Sequence, residues 1–230
     1  MNQNVINQIK ELFYATAKVY NNLLINNFSG KTEKDIKRAI LVEYKNRLSK
    51  FSFKGDIVAG ARSAIGEGIA TDYIIKKGDT IILDLLPMKD GVCADVTRTF
   101  FVGEPSSEQR KVYETVKNAL LSTERMLKAG VKACDIYKYM RERLKPYENT
   151  FFHHAGHLIG NRRLVQPQFL PDKTTRLKAG DIVTLEPGIY IKDKFGVRLE
   201  NDYLITKSGC EKLFDYPLDM ENFIIKGETI

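Results

Sequence analysis

The feature that most constrains the fold of this chain is an internal repeat. The segment KKGDTIILDLLP, residues 76–87, resembles KAGDIVTLEPGI, residues 178–189, and both place an acid five residues after the aspartate of a Gly-Asp pair. Downstream, GVCADVTRTF at 91–100 resembles GVRLENDYLI at 196–205, with an acid four residues after each first glycine. Two copies are too few for a solenoid, so the repeat indicates two helix-plus-hairpin units related by a pseudo-twofold axis.

The secondary-structure pattern agrees with this division. The segments TEKDIKRAILVEYKNRL (32–48) and KACDIYKYMRERL (132–144) each contain an Asp-Ile pair followed by apolar residues at helical spacing. The sequence predicts helices near 3–26, 32–48, 107–128 and 131–145, and strands near 51–59, 80–86, 92–101, 151–155, 182–190 and 196–206. The predicted fold class is α+β, with helices backing an antiparallel sheet. A single domain over 1–230 would hold half-repeats at about 10–103 and 110–207 and a tail at 208–230.

Composition excludes several classes of protein. The chain has 43% hydrophobic residues, enough for a sizeable core, but no apolar run approaches the ~20 residues of a membrane span. The net charge is +7, yet the lysines are dispersed beside acids, which favours a solvated surface over a nucleic-acid partner. The N-terminus lacks a signal-peptide pattern. Three widely spaced cysteines argue against a disulfide framework or thiolate zinc site and suit the cytoplasm.

Four acids occupy matched positions in the two copies. Asp84 and Glu186 follow apolar runs, and Asp95 and Glu200 lie on the returning strands. A buried acid is costly unless it is paired or binds a cation. If the four carboxylates converge near the twofold axis, they repel one another and take up protons, unless one or two divalent cations neutralise them. Alternatively, Asp84 is a turn residue and Glu200 pairs with Arg198.

All the histidines of the chain lie in one short segment, FFHHAGHLIG, as His153, His154 and His157. Chance and a buried core histidine would explain such a cluster without function. A metal site or a proton-transfer site would explain it with function. The matched acids elsewhere in the chain favour a metal site.

Four blocks carry a family resemblance: ILDLLPMKDGVCADVTRTFFVG, HHAGHLIG, TLEPGIY and GVRLENDYLIT. They resemble the signature blocks of the pita-bread metallopeptidases of family M24, which include methionine aminopeptidases, Xaa-Pro aminopeptidases and prolidases. The resemblance runs from about residue 10 to 207 and implies the pita-bread (creatinase/aminopeptidase) fold. EPGIY and GVRLEND look like the Xaa-Pro group. Enzymes of that group commonly carry a further domain before this region, so the resemblance covers their catalytic domain only.

The resemblance implies a set of site residues. The metal ligands would be Asp84, Asp95, His157, Glu186 and Glu200. Glu186 would also shuttle a proton between water and the leaving amine, and His153 would face the substrate, whereas His154 has no assigned role. Four carboxylates and one imidazole suit two divalent ions, with Mn²⁺ favoured and Co²⁺, Fe²⁺ or Zn²⁺ as alternatives. The two ions would share a bridging water that attacks the peptide carbonyl as hydroxide.

The sequence departs from the family pattern at two substrate-facing positions. The family usually has histidines where this chain has Glu67 and Leu164. We hypothesise that Glu67 pairs instead with Arg162 or Arg163. Arg98 and Arg198 match arginines of the Xaa-Pro group and would orient the carboxylates.

The resemblance implies a hydrolase that removes an N-terminal residue from peptide substrates, as Xaa-Pro aminopeptidases and dipeptidases do. A non-peptidase hydrolase or lyase using the same metal cage is the alternative suggested by the two replaced histidines. A binding module without catalysis is a third reading, disfavoured by the complete ligand set. Neither nucleic acid nor membrane is an expected partner, and homodimerisation, common in the family, stays open.

Overall fold

The computed structural model describes residues 3–26, 28–159 and 165–226. The α-helices in these ranges are α1 (Gln3–Ile25), α2 (Glu33–Lys45), α3 (Ser107–Glu124) and α4 (Ala133–Arg143). The strands are β1 (Phe51–Ala59), β2 (Thr80–Lys89), β3 (Val92–Cys93), β4 (Val96–Val102), β5 (His157–Ile159), β6 (Val165–Gln168), β7 (Ile182–Leu185), β8 (Gly188–Ile191), β9 (Phe195–Arg198), β10 (Asn201–Ile205), β11 (Cys210–Lys212) and β12 (Ile224–Ile225). Short 3₁₀ turns cover Gly60–Ile65, Glu148–Thr150 and Met220–Phe223.

The strands form two larger sheets and a small one. The first sheet has the order β1-β2-β4-β12, with β3 paired to β2. The second has the order β11-β10-β7-β5-β6, and β8 pairs with β9 in a separate hairpin. The predicted α+β class is confirmed. The predicted antiparallel pairing is confirmed as well; each half forms its own sheet, and β12, from the tail, adds a parallel pair with β4.

Local sequence explains where several elements begin and turn. Thr32 and Asp35 form a capping box at the start of α2, and Ser106 and Gln109 form one at the start of α3. Between β2 and β3, Asp90 and Gly91 have φ angles of 52° and 81°. Positive φ at both central residues is the requirement of a tight type I′ hairpin, which Asp-Gly satisfies.

The two halves repeat the same backbone contacts. Gly30 N donates to Ile75 O at 2.9 Å in the first half, and Gly130 N donates to Leu177 O at 2.8 Å in the second. In each half, the bond joins the segment before the second helix (α2 or α4) to the segment before the central strand (β2 or β7). The half-repeat boundaries at 10–103 and 110–207, and the single domain they compose, stay a prediction. None of the helices in the described ranges is long and apolar enough to cross a membrane.

Three predicted strands are interrupted, and each interruption contains one of the matched acids. The run 92–101 breaks at residues 94–95, the run 182–190 at 186–187, and the run 196–206 at 199–200. The strand predicted at 151–155 was wrong, because that segment is an irregular loop and β5 begins only at His157. Gly156 allows the loop to pass close to β7, since a Cβ atom there would collide with the carbonyl of Thr184.

Candidate metal centre

A cavity of about 400 Å³ is lined by residues of both halves. Acidic and imidazole side chains dominate its wall. The lining residues are Lys54, Gly55, Asp56, Glu67, Asp84, Leu86, Asp95, Phe152, His153, His154, His157, Glu186, Arg198 and Glu200.

The strand interruptions direct the acids into this cavity. Asp95 lies between β3 and β4, Glu186 directly follows β7, and Glu200 lies between β9 and β10. Asp84 is the exception, because it lies in the middle of β2, opposite Thr97 in β4. The interpretation of Asp84 as a turn residue is therefore wrong.

Two groups of potential ligand atoms lie side by side. Asp95, His157 and Glu200 are buried, and each offers a donor atom within 4.8 Å of the others. His153, His154 and Glu186 form the second group by the same measure. His157 Nε2 lies 3.4 Å from Asp95 Oδ2 and 3.9 Å from Glu186 Oε1, so it connects the two groups. Carboxylate oxygens with imidazole nitrogens are the donor set that borderline divalent cations prefer.

The acids of the cavity have strongly perturbed pKa values. Burial, reinforced by neighbouring carboxylates, raises the pKa of Asp95 and Glu200 well above the usual range. Burial also raises the pKa of Asp84, against the effect of Arg198. Burial would do the same to Glu186, but the nearby imidazoles outweigh it and lower the pKa to about 2. Acids whose pKa values are raised by burial and by neighbouring carboxylates are the groups whose charge a bound cation would stabilise, so the cluster fits divalent metal.

Neighbouring side chains fix the carboxylates in position. Thr97 Oγ1 donates to Glu200 Oε2 at 2.8 Å, and Arg198 Nη2 donates to Asp84 Oδ2 at 2.8 Å. The alternative pairing of Glu200 with Arg198 is therefore not the one formed. Arg198 also donates to Tyr190 Oη at 3.0 Å and to the carbonyl of Gly66. These bonds hold the guanidinium beside Asp84.

Arg98 acts on the main chain behind the site and does not line the cavity. It is fully buried, and its Nη1 donates to the carbonyl of Glu200 at 2.7 Å. Its Nη2 donates to Asn201 Oδ1 at 2.9 Å, and its Nε donates to Pro217 O at 3.1 Å. The guanidinium therefore ties the backbone of Glu200 to β4 and to the C-terminal tail.

His153 and His154 contact different residues of the cavity. His153 Nε2 lies 2.7 Å from Tyr190 Oη, and burial lowers the pKa of His153 to about 4. His154 had no predicted role, yet its Nδ1 lies buried, 3.1 Å from Glu186 Oε1, in a geometry that forms no hydrogen bond. An unsatisfied buried nitrogen beside a carboxylate is a further feature that a cation would resolve.

Of the two residues that replace the usual family histidines, Glu67 lies in the described part of the chain and Leu164 does not. Glu67 is exposed and lines the cavity. Leu164, Arg162 and Arg163 lie outside the described residues, and so does the hypothesised pairing of Glu67 with these arginines.

Sequence reasoning missed five of the described cavity residues: Lys54, Gly55, Asp56, Leu86 and Phe152. Asp56 lies directly opposite Asp84 in the β1–β2 pairing, and Lys54 is two residues away on the same face of β1. Aligning strand β1 with strand β2 would have found both, since alternate residues share a face. Phe152 gives no such signal because it lies in an irregular loop.

Two matched α+β halves with a cavity of carboxylates and imidazoles between them define the pita-bread class of proteins. Residues 7–207 match the sequence profile of metallopeptidase family M24. The chain belongs to this family, and membership implies divalent metal ions.

Individual relatives agree with that assignment. The chain is 36% identical over 189 residues to an Xaa-Pro dipeptidase of Pyrococcus furiosus, an alignment covering 80% of this chain and 54% of the relative. An Xaa-Pro dipeptidase from Bacillus anthracis superposes with a TM-score of 0.91 at 30% identity, over 97% of this chain and 63% of that one. An X-Pro aminopeptidase from Thermotoga maritima gives a TM-score of 0.91 at 29% identity, over 99% and 64%. The chain thus spans roughly half to two thirds of the length of these relatives.

Proposed function

We propose that this chain is a metal-dependent hydrolase that removes an N-terminal residue from peptides, in the manner of an Xaa-Pro aminopeptidase or dipeptidase. The observation that carries the proposal is the meeting of two donor groups in one cavity, connected through His157 and Glu186. The names of the relatives support the choice of a peptide bond before proline.

The proposed ligands of two divalent ions are Asp84, Asp95, His157, Glu186 and Glu200, with Mn²⁺ as the favoured ion. Bound cations would activate a shared water toward hydroxide and polarise the scissile carbonyl. The carboxylates come from both halves of the molecule, so cation binding would also join the halves at the cavity.

The protein's own groups supply the proton chemistry. The neighbouring imidazoles lower the pKa of Glu186 to about 2, so its carboxylate is ionised at neutral pH and available as a metal ligand. The proton transfer from the water to the leaving amine is assigned to Glu186 by its match to the family pattern. Burial lowers the pKa of His153 to about 4, so its ring is neutral at neutral pH, and with His154 O 2.8 Å from Nδ1 and Tyr190 Oη 2.7 Å from Nε2 it would face the substrate without bringing a charge. Burial raises the pKa of Tyr190 to about 12, which keeps its hydroxyl protonated beside His153.

The shape of the cavity fits a short peptide end. Its volume of about 400 Å³ is in the range of small-molecule sites, ~300–1,000 Å³. Behind the acids, Val58, Ile82 and Tyr190 form a buried apolar cluster. A substrate therefore enters from the side of Glu67 and Phe152, which are exposed, and its terminus meets the acids.

The test is mass spectrometry of cleavage products. Mn²⁺-loaded protein is incubated with Xaa-Pro dipeptides, longer Xaa-Pro peptides and Met-initiated peptides. We expect loss of one residue before proline. Asp95→Asn should abolish cleavage and lower the metal retained after dialysis, measured by elemental mass spectrometry.

Asp193→Asn is the matched control, since it makes the same chemical change in the exposed β8–β9 turn, where φ is 60°. It should leave both cleavage and metal content unchanged. Metal-loaded wild-type protein that cleaves none of these peptides would contradict the peptidase proposal.

Such a result would favour the second candidate, a different hydrolase or lyase reaction using the same metal cage. One observation motivates that candidate: Glu67 lines the cavity where relatives of this family usually present a histidine. An acid in that wall would change which substrate groups the cavity accepts.

A further inference from the structure

The face of the β1–β2 ladder that lines the cavity follows a simple order. Residues directly opposite in an antiparallel pair share a face, as do alternate residues along each strand. The register therefore places three pairs in a row: Val58 with Ile82, Asp56 with Asp84, and Lys54 with Leu86. The first pair belongs to the buried apolar cluster behind the acids, and the other two line the cavity.

Lys54 lies at the open end of this row. Its residue is exposed, whereas its partner Leu86 is only 8% exposed. The side chain of Lys54 forms no hydrogen bond or ion pair with any residue in the described ranges. The other long cationic side chain lining the cavity, Arg198, is committed to Asp84, Tyr190 and the carbonyl of Gly66. Lys54 is thus a cation of the cavity wall with no counter-ion in the described part of the chain.

The step along the ladder matches the length of a dipeptide. Two residues of strand advance about 6.6 Å, and two residues of extended peptide span about 7 Å. A peptide whose amino end lies level with Asp84 would therefore carry the carboxylate of its second residue to the level of Lys54. The third residue of a longer peptide would extend past Lys54 into solvent.

The remaining surroundings suit such a ligand. Leu86 offers an apolar surface beneath the second residue, which in an Xaa-Pro peptide is the proline ring. Glu67, at the rim, would repel a carboxylate, and the cation of Lys54 would offset that repulsion.

From this arrangement we propose that Lys54 forms a subsite for the free α-carboxylate of a dipeptide substrate and so sets the length of peptide that the site prefers. The proposal rests on the proposed peptidase function. It makes Lys54 a specificity-determining residue on β1, outside the proposed ligand set.

The kinetic test compares Ala-Pro with Ala-Pro-amide, which lacks the negative charge. In Mn²⁺-loaded protein, we expect Lys54→Gln to raise KM for Ala-Pro about tenfold and to leave KM for the amide unchanged, the scale of one charge-assisted hydrogen bond. Lys54→Arg should recover most of the loss. Lys207→Gln, an exposed lysine that does not line the cavity, should change neither value. Equal effects of Lys54→Gln on both substrates, or no effect, would overturn the subsite.

A binding measurement separates this proposal from the proposed function. The probes are the reduced-bond analogue of Ala-Pro and its amide, titrated calorimetrically into metal-loaded wild-type and Lys54→Gln protein. If wild type prefers the carboxylate probe and the variant does not, the subsite stands even if no peptide is cleaved. If peptides are cleaved but neither protein distinguishes the probes, the peptidase stands and the subsite is wrong. Failure of wild type to bind either probe also overturns the subsite.

Discussion

The two halves of the molecule build the same framework and then treat their acids differently. In the first half, Asp79 Oδ2 accepts the backbone N–H of Lys76 at 2.8 Å, and in the second, Asp181 Oδ2 accepts that of Lys178 at 2.7 Å. Five residues later, Asp84 remains inside the long strand β2. Glu186, its counterpart, lies just after β7, where the chain leaves the sheet.

Leaving the sheet lets the second half interlock with the first. After Glu186 and a proline, the chain forms the β8–β9 hairpin, and its return segment bonds to β4 of the first half. Glu200 N donates to Thr97 O at 3.0 Å, and Thr99 Oγ1 donates to Arg198 O at 2.8 Å. The two halves therefore share a scaffold. The cavity forms because the second half leaves its sheet after Glu186 and packs its β8–β9 hairpin against the first half.

The largest expected effect comes from breaking that interlock at Arg98. Its matched position in the second half is Tyr203, whose hydroxyl stays within its own half and donates to Glu124 at 3.0 Å. Arg98→Ala would leave several buried carbonyls, including that of Glu200, without donors. We expect a loss of about 3–5 kcal/mol in the free energy of unfolding by urea.

Tyr203→Phe is the comparison, with a smaller expected cost of about 1–2 kcal/mol because its hydroxyl loses two hydrogen bonds, to Glu124 and from Asn201, both within one half. Equal costs for the two variants would show that the cross-half bonds contribute nothing special to stability.

The matched acids Asp84 and Glu186 should give opposite pH dependences in metal-free protein. The pKa of Glu186 is lowered from 4.5 to about 2, so its stabilisation is complete above pH 4.5 and is lost as pH falls toward 2, by up to about 3 kcal/mol. The pKa of Asp84 is raised from 3.8, so its effect is favourable below 3.8 and is lost as pH rises. Urea unfolding across pH measures both.

Single variants assign these slopes. Glu186→Gln should flatten the rise in stability between pH 2 and 4.5, and Asp84→Asn should reduce the decline at higher pH. If both variants changed the pH dependence of the unfolding free energy in the same direction, the opposite pKa shifts of Asp84 and Glu186 would be contradicted.

A third prediction concerns His157, whose matched position in the first half is Val58. That equivalence follows because His157 precedes Leu158, which pairs with Val183, just as Val58 precedes Ala59, which pairs with Ile81. His157→Val should keep the fold, since the framework accepts valine there. Affinity for Mn²⁺ should fall about 100-fold or more, because even outer contacts of such sites are worth about 10–100-fold.

Titration calorimetry with Mn²⁺ measures that loss, and circular dichroism checks the fold. Unchanged affinity in a folded variant would remove His157 from the ligand set.

The smallest effect tests the turns that the halves share. Asp79→Ala should cost about 1–2 kcal/mol and Asp181→Ala about 1 kcal/mol, since each loses a backbone hydrogen bond. Asp79 has the larger value because it also accepts from Tyr73 Oη at 3.1 Å. Thermal unfolding of the two variants side by side is sufficient, and a larger cost at Asp181 would reverse the expectation.

Much of the framework could be predicted because it depends on local patterns. Helical apolar spacing located α1–α4 within a few residues, and the alternation in FSFKGDIVA located β1 at the bounds observed. The predicted strand at 151–155 failed, and so did the continuity of strands through Asp95, Glu186 and Glu200. Apolar residues flank each acid closely, so the local pattern reads as one strand, whereas the break depends on contacts with the other half.

The sequence by itself determined the repeat, the four matched acids and the histidine cluster, because spacing along the chain is enough to state them. Only the tertiary structure showed that His154, Asp56 and Lys54 line the cavity and that Arg98 lies behind it. The physical reason is that these roles depend on which strand lies opposite which, and on where the chain leaves a sheet. Both are settled when the two halves pack together.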